Sequence, residues 1–149
     1  MDQIDIQMLE LLQKNGRITI SQLSQELALS RPSVGERLHR LQEQNIIEGF
    51  HARISPAAVG RSILVFIQIS QLRMNSSQFE NEIQDNPHIL ECHRVTGTVS
   101  YILKAAVANM NSLQKLVDDL IPFGTVNTSI ILSSPVSFRT ILPEKQSDV

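Results

Sequence analysis

Residues 19–44 read TISQLSQELALSRPSVGERLHRLQEQ, and the periodicities inside this stretch decide the first half of the fold. Ile20, Leu23 and Leu27 recur at i, i+3, i+7, the apolar side of a short helix running from about Thr19 to Leu27. After the brief link Ala28-Leu29, Ser30 is suited to cap a further helix, and Pro32 is tolerated in a first turn whose amide is unpaired anyway. That helix carries Val34, Leu38 and Leu41 inward at i, i+4, i+7 and is expected to end near Asn45. Ser33, Arg37, Arg40 and Gln44 form a polar stripe away from the apolar one, with Arg31 at the start. Donors near a helix N-terminus suit base edges, and arginines suit phosphates or guanine, so the pattern fits a recognition helix. An ordinary solvated face, with Glu36 and Arg40 as an i, i+4 pair, is the plainer reading of the same residues.

Upstream, Asp2 is a suitable N-cap for a first helix. Ile4, Met8, Leu11 and Leu12 supply its apolar face, and Asn15-Gly16 supplies its stop. Downstream, Ile46-Ile47 extends the core, Phe50 to Ser55 reads as a short strand, and Pro56 to Gly60 as a hinge. Residues 1–60 are therefore predicted to be a tri-helical (winged) helix-turn-helix domain with a short strand and hinge.

The period then changes. Ser62 to Gln71 (SILVFIQISQ) is a β-rich apolar run, and Ser76-Ser77 opens a helix with Phe79 and Ile83 inward, stopped at Asn86-Pro87. Ile89 to Thr96 and Tyr101 to Val107 read as strands around a turn at Gly97. A helix capped at Asn111 follows, with Leu113, Leu116, Val117 and Leu120 inward, and ends at Pro122 and Gly124. Val126 to Leu132 and Val136 to Leu142 read as final strands. The order predicts a ferredoxin-like βαββαβ domain over residues 61–142, making the class α+β, with a flexible tail over 143–149. In the first strand, Ile63, Val65, Ile67 and Ile69 share one face while Leu64 and Phe66 point to the other. Two helices cover one face of a four-stranded sheet. The second needs a partner; the N-terminal domain is the plainer candidate, and a second copy of the same sheet is the expected one.

Composition narrows the function classes. The 149 residues carry a net charge of −2, and residues 1–61 hold seven basic against seven acidic groups. Overall charge thus gives no sign of a nucleic-acid partner, and such a reading rests on placement. No apolar run reaches the roughly 18–20 residues of a membrane span, and Met1-Asp2-Gln3-Ile4-Asp5 lacks the basic, then apolar, opening of a signal peptide. A single cysteine, Cys92, suits a reducing cytoplasm, the expected location. His39, His51, His88 and His93 show no paired metal spacing, and no phosphate loop or Ser-His-Asp order is present. No enzyme, metal or cofactor is expected.

Several stretches together resemble the Lrp/AsnC, or feast/famine, regulators. They are Asp2 through Asp5 continuing to Leu12-Gln13-Lys14-Asn15-Gly16-Arg17-Ile18; Leu29-Ser30-Arg31-Pro32-Ser33-Val34 with Glu36-Arg37 and Arg40-Leu41; and Ile46 to Phe50. Glu91 to Gly97 and Tyr101-Ile102-Leu103-Lys104 extend the resemblance, which spans roughly residues 1–142 in order. It implies a cytoplasmic regulator of transcription that binds double-stranded DNA and forms dimers, tetramers or octamers. Many such regulators respond to amino acids bound between C-terminal domains. Ser30, Arg31, Ser33, Val34, Arg37 and Arg40 are the expected DNA-binding residues, and Gly97, Thr98, Val99, Ser100 and Tyr101 the expected effector-binding ones. Two features depart from the family pattern. Ala28 stands where glycine often ends the second helix, and the glycine turn offers Thr98 and Ser100 where the family usually has acidic residues. Neutral oxygens replace carboxylates that would hold an ammonium group. An architectural DNA-wrapping protein with little effector response, and a ligand-sensing scaffold that binds protein, are the alternative readings.

Overall fold

The computed structural model describes residues 1–144, and the chain divides into two compact units. One comprises Met1–Arg53 together with the segment from Val136; the other is Ile54–Pro135. The expected tail over 143–149 lies outside the described residues from position 145 onward.

The first unit contains α1 (Gln3–Lys14), α2 (Ile20–Glu26) and α3 (Arg31–Glu43). Each begins where local chemistry satisfies orphan amides. Asp2 and Thr19 form capping boxes with Asp5 and Gln22, and Ser30 accepts from the Ser33 amide. Between α2 and α3 the chain turns through Ala28 at φ 51, a left-handed conformation that costs a non-glycine residue about 1 kcal/mol. The corner is held by the Leu29 amide on the Ser24 carbonyl (3.0 Å) and by Ser24 Oγ donating to the Leu29 carbonyl (2.6 Å). Met8, Leu9, Leu12, Leu23, Leu27, Val34 and Leu41 form the core, with Ile4, Leu38 and Ile47 packed against it.

Two expected strands do not form. Phe50 to Ser55 and Val136 to Leu142 are irregular, so the helical unit has no wing strand. Their alternating apolar residues fit a strand, but a strand exists only where a ladder pairs its backbone. Here side chains meet those needs instead. The Gln13 carboxamide donates to the Ile141 carbonyl (2.8 Å) and accepts from its amide (2.9 Å). Arg53 donates to Ser137 Oγ (2.9 Å) and lies over the Phe138 ring.

The second unit is a four-stranded antiparallel sheet in the order β2-β3-β1-β4, with β1 (Ile63–Ser70), β2 (Ile89–Arg94), β3 (Val99–Val107) and β4 (Thr125–Ile130). Its helices are α4 (Ser76–Gln84) and α5 (Met110–Leu120), capped by Asn75 and Asn109 rather than by Ser76 and Asn111. Asparagine at the earlier positions reaches the third amide of each helix, leaving the later polar residues free for the first turn. Val65, Ile67 and Ile69 of β1 and Leu103, Ala105 and Val107 of β3 meet Phe79, Ile83, Leu113, Leu116 and Leu120 in one core. Burying side chains of this size is worth about 1.5–3 kcal/mol each. Gly124 opens β4 because a Cβ there would stand 2.6 Å from the Ser70 carbonyl oxygen.

The other face of the sheet is not covered by α4 or α5. Phe66 is 43% exposed, and Leu64 and Ile102 are half-buried. Register sets Phe66 beside Lys104, and Lys104 beside Glu91, to which it donates at 2.8 Å. His93 Nε2 stands 3.5 Å from the same carboxylate. Lys104 first, and His93 more weakly, hold the Glu91 carboxyl below its ordinary range against a smaller desolvation effect.

Candidate nucleic-acid interface

At about 100° per residue, α3 sorts its side chains into three sectors. Val34, Leu38 and Leu41 face the core. Pro32, Glu36, His39 and Glu43 fall on the opposite side, half-buried Gly35 borders it about 90° from the core, and Arg37 and Arg40 flank it on the side of α1.

The flank is not free. Arg37 Nη1 donates to Asp5 Oδ1 and to Asp2 Oδ2, both at 2.7 Å, and its side chain is only 22% exposed. Arg40 Nη2 donates to both oxygens of Asp5, at 3.0 and 3.1 Å. Asp5 is the one buried charged residue among those described, with its side chain 2% exposed. Burial pushes its carboxyl up, but the Asp2 amide and the Arg37 guanidinium outweigh that and leave it below the ordinary carboxylate range. Asp2 is lowered as well, first by the Asp5 amide and then by Arg37, and Arg37 is raised in return.

Of the residues expected to bind DNA, Ser30, Arg31 and Ser33 sit together at the exposed start of α3, and the Ser30 and Ser33 hydroxyls are 2.9 Å apart. Arg40 remains about half exposed. Val34 cannot serve. It is completely buried in the helical core, because the i, i+4, i+7 stripe it begins is the packing stripe. Arg37 is turned to α1 for an equally physical reason, since two carboxylates compete for its donors. Sequence reasoning missed Asp5 as their partner, although a signal existed. Asp5 lies at i relative to the buried Leu9 and Leu12 at i+4 and i+7, and an acid on an apolar face needs a cation.

The expected effector residues occupy the β2–β3 hairpin. Gly97 takes φ 107, which glycine alone adopts without strain, and the Val95 amide closes the turn on the Ser100 carbonyl. Thr98 is exposed, and Val99 and Ser100 are half-buried. Tyr101 stands apart from them. It is 1% exposed, its ring lies 4.6 Å from Phe79, and its hydroxyl donates to Glu80 at 2.5 Å. Burial first, then the Glu80 bond, raises its pKa. Beside the turn, α4 and β2 border an open cavity of about 530 Å³ whose walls include Glu80, Ile83, Leu90, Arg94 and Tyr101.

Comparison with known proteins agrees with both halves. Residues 1–42 match the AsnC-type helix-turn-helix domain, and residues 63–141 match the Lrp/AsnC ligand binding domain. The chain is 37% identical over 122 residues to the leucine-responsive regulatory protein of Escherichia coli K12, covering 80% of this chain and 74% of that protein. Bacillus subtilis LrpC superposes with a TM-score of 0.88 at 25% identity, covering 93% of this chain and 99% of the other. A Neisseria meningitidis transcriptional regulator in complex with L-methionine superposes with a TM-score of 0.87 at 28% identity, covering 95% and 96%.

Proposed function

Because the chain belongs to the Lrp/AsnC family of transcriptional regulators, we propose that it is a sequence-preferring DNA-binding regulator, built to act as a dimer or larger assembly in the cytoplasm, that enters the major groove with α3. The family is one of regulators, not of enzymes. The observation that carries the reading is the exposed start of α3, where the Arg31 guanidinium stands beside the Ser30 and Ser33 hydroxyls. A guanidinium and two hydroxyls in that position suit phosphate oxygens. The uncovered sheet face supports assembly through a second copy, because Phe66 and Leu64 are apolar and flanked by a paired charge cluster. No described helix is long and apolar enough to cross a membrane.

Effector binding is assigned to the turn Gly97 to Ser100, with an amino acid as the ligand class, by analogy with the methionine-bound relative. Thr98 and Ser100 offer hydroxyls and the turn offers backbone groups; Tyr101, buried beside them, borders the adjoining cavity.

Fluorescence anisotropy against an enriched genomic duplex and a scrambled one tests the reading. The expected result is at least a hundredfold preference, with the scrambled affinity falling steeply as salt rises, about −0.9 in log–log slope per phosphate contacted. Equal affinity for both duplexes would overturn it in favour of architectural wrapping.

A further inference from the structure

We propose that the base-reading face of α3 is the ridge of Pro32, Gly35, Glu36 and His39, and that Glu36 accepts a hydrogen bond from the exocyclic amino group of a base in the major groove. The inference rests on the DNA-binding reading above and concerns which side chains carry its specificity.

The arginines that the sequence pattern favours are engaged elsewhere. Arg37 has two carboxylate partners and Arg40 has one. Withdrawing both to reach DNA would leave Asp5, 2% exposed, as an unpaired buried charge, which is among the most costly arrangements in a protein. The side of the helix opposite the core is therefore set by other residues. At its edge, half-buried Gly35 has no structural reason within the described residues to be glycine. It lies within α3, its φ is ordinary, and a Cβ built there meets nothing within 4 Å. Glycine in a helix interior is disfavoured relative to alanine. A missing side chain facing open space is explained by a surface that comes close from outside, as the edge of a base pair does when a helix lies in the groove.

Glu36 is the second observation. It is exposed, and among the described residues its carboxylate has no hydrogen bond or ion pair. Its helical neighbour at i+4, Arg40, points to Asp5 instead. The next polar side chains along the ridge, His39 and Glu43, are 3.1 Å from each other. A lone carboxylate on the face turned to a polyanion is repelled by phosphate, unless the groove offers it a donor. In the major groove those donors are the amino groups of cytosine and adenine, and a glutamate oxygen is matched to cytosine in particular.

The test uses the full chain in selection from randomised duplexes, followed by anisotropy on the enriched sequence and on a scrambled one. For Glu36→Ala the expected result is loss of preference at one base position of each half-site. Affinity for the enriched duplex should fall about tenfold, while affinity for the scrambled duplex rises because a repelling charge is gone. Gly35→Ala should raise the melting temperature and lower enriched-duplex affinity, so that stability and binding move in opposite directions. If Glu36→Ala enriches the same motif and binds both duplexes more tightly, Glu36 only repels and the proposal is overturned. Unchanged binding by Gly35→Ala overturns the close approach. Failure of the unsubstituted chain to enrich any motif would remove the DNA-binding reading itself, a different result from either.

Discussion

The molecule contains two ionic clusters of nearly the same chemistry in opposite settings. Asp2, Asp5, Arg37 and Arg40 join α1 to α3 around a carboxylate that water hardly reaches. Glu91, Lys104 and His93 lie across neighbouring strands on a sheet face, with Glu91 47% and His93 65% exposed. In the first setting the pairing is compulsory, because breaking it strands a buried charge. In the second, water stands in for either partner at little loss. Burial, more than the identity of the residues, separates a cluster that fixes a helix from one that decorates a surface.

That contrast can be broken or sharpened by substitution. Asp5→Ala should have the largest effect, about 3 kcal/mol, confined to the helical unit, because it removes the charge-assisted bonds to Arg37 and Arg40 and one arm of the α1 capping box. Amide hydrogen exchange reads it directly: protection in α1 and α3 should collapse while β1 and β3 keep theirs. The same carboxyl sets an acid limit. Its folded pKa lies below the ordinary 3.8, so its contribution is complete above that value and fades as pH falls through the folded one. Wild-type α1 and α3 should lose protection below about pH 4, and Asp5→Asn should lack that increment.

A smaller effect is expected on the open face. Phe66→Asp leaves the sheet's core side untouched but places a carboxylate where a second copy would dock. Dimer dissociation should rise about thirtyfold, or about 2 kcal/mol, in sedimentation equilibrium, with exchange in β1 of the monomer unchanged. A dimer of undiminished affinity would locate assembly elsewhere. Smallest of all, Lys104→Ala should change monomer stability by no more than about 0.5 kcal/mol, measured by urea unfolding under dissociating conditions. A loss comparable with that of Asp5→Ala would erase the distinction between the clusters.

The same distinction explains how much could be read beforehand. Local signals were legible: the apolar spacings of α1, α2 and α3, the caps at Asp2 and Ser30, and the two-faced pattern of β1. Ala28 too was marked by its position in the corner between α2 and α3. Long-range pairings were not. Arg37 and Asp5 are 32 residues apart, and nothing local says that an arginine on a polar stripe will fold back onto the preceding helix. Val34 shows the converse, since one residue was given both a packing and a contact role, and packing prevails. Phe50 to Ser55 and Val136 to Leu142 had the alternation of strands but no ladder to join. Alternation reports an extended backbone and is silent about its neighbour.

The clasp between the Gln13 carboxamide and the backbone of Ile141 bears on how such proteins can be recombined. The helical unit is discontinuous in the chain, with the sheet unit as an insert between Arg53 and Val136. A chimera that exchanges DNA-reading modules between relatives therefore has two seams, one near each of those residues. Splicing at the first alone would graft a foreign glutamine site onto a resident C-terminal segment, and the donor and acceptor of the clasp would come from different parents.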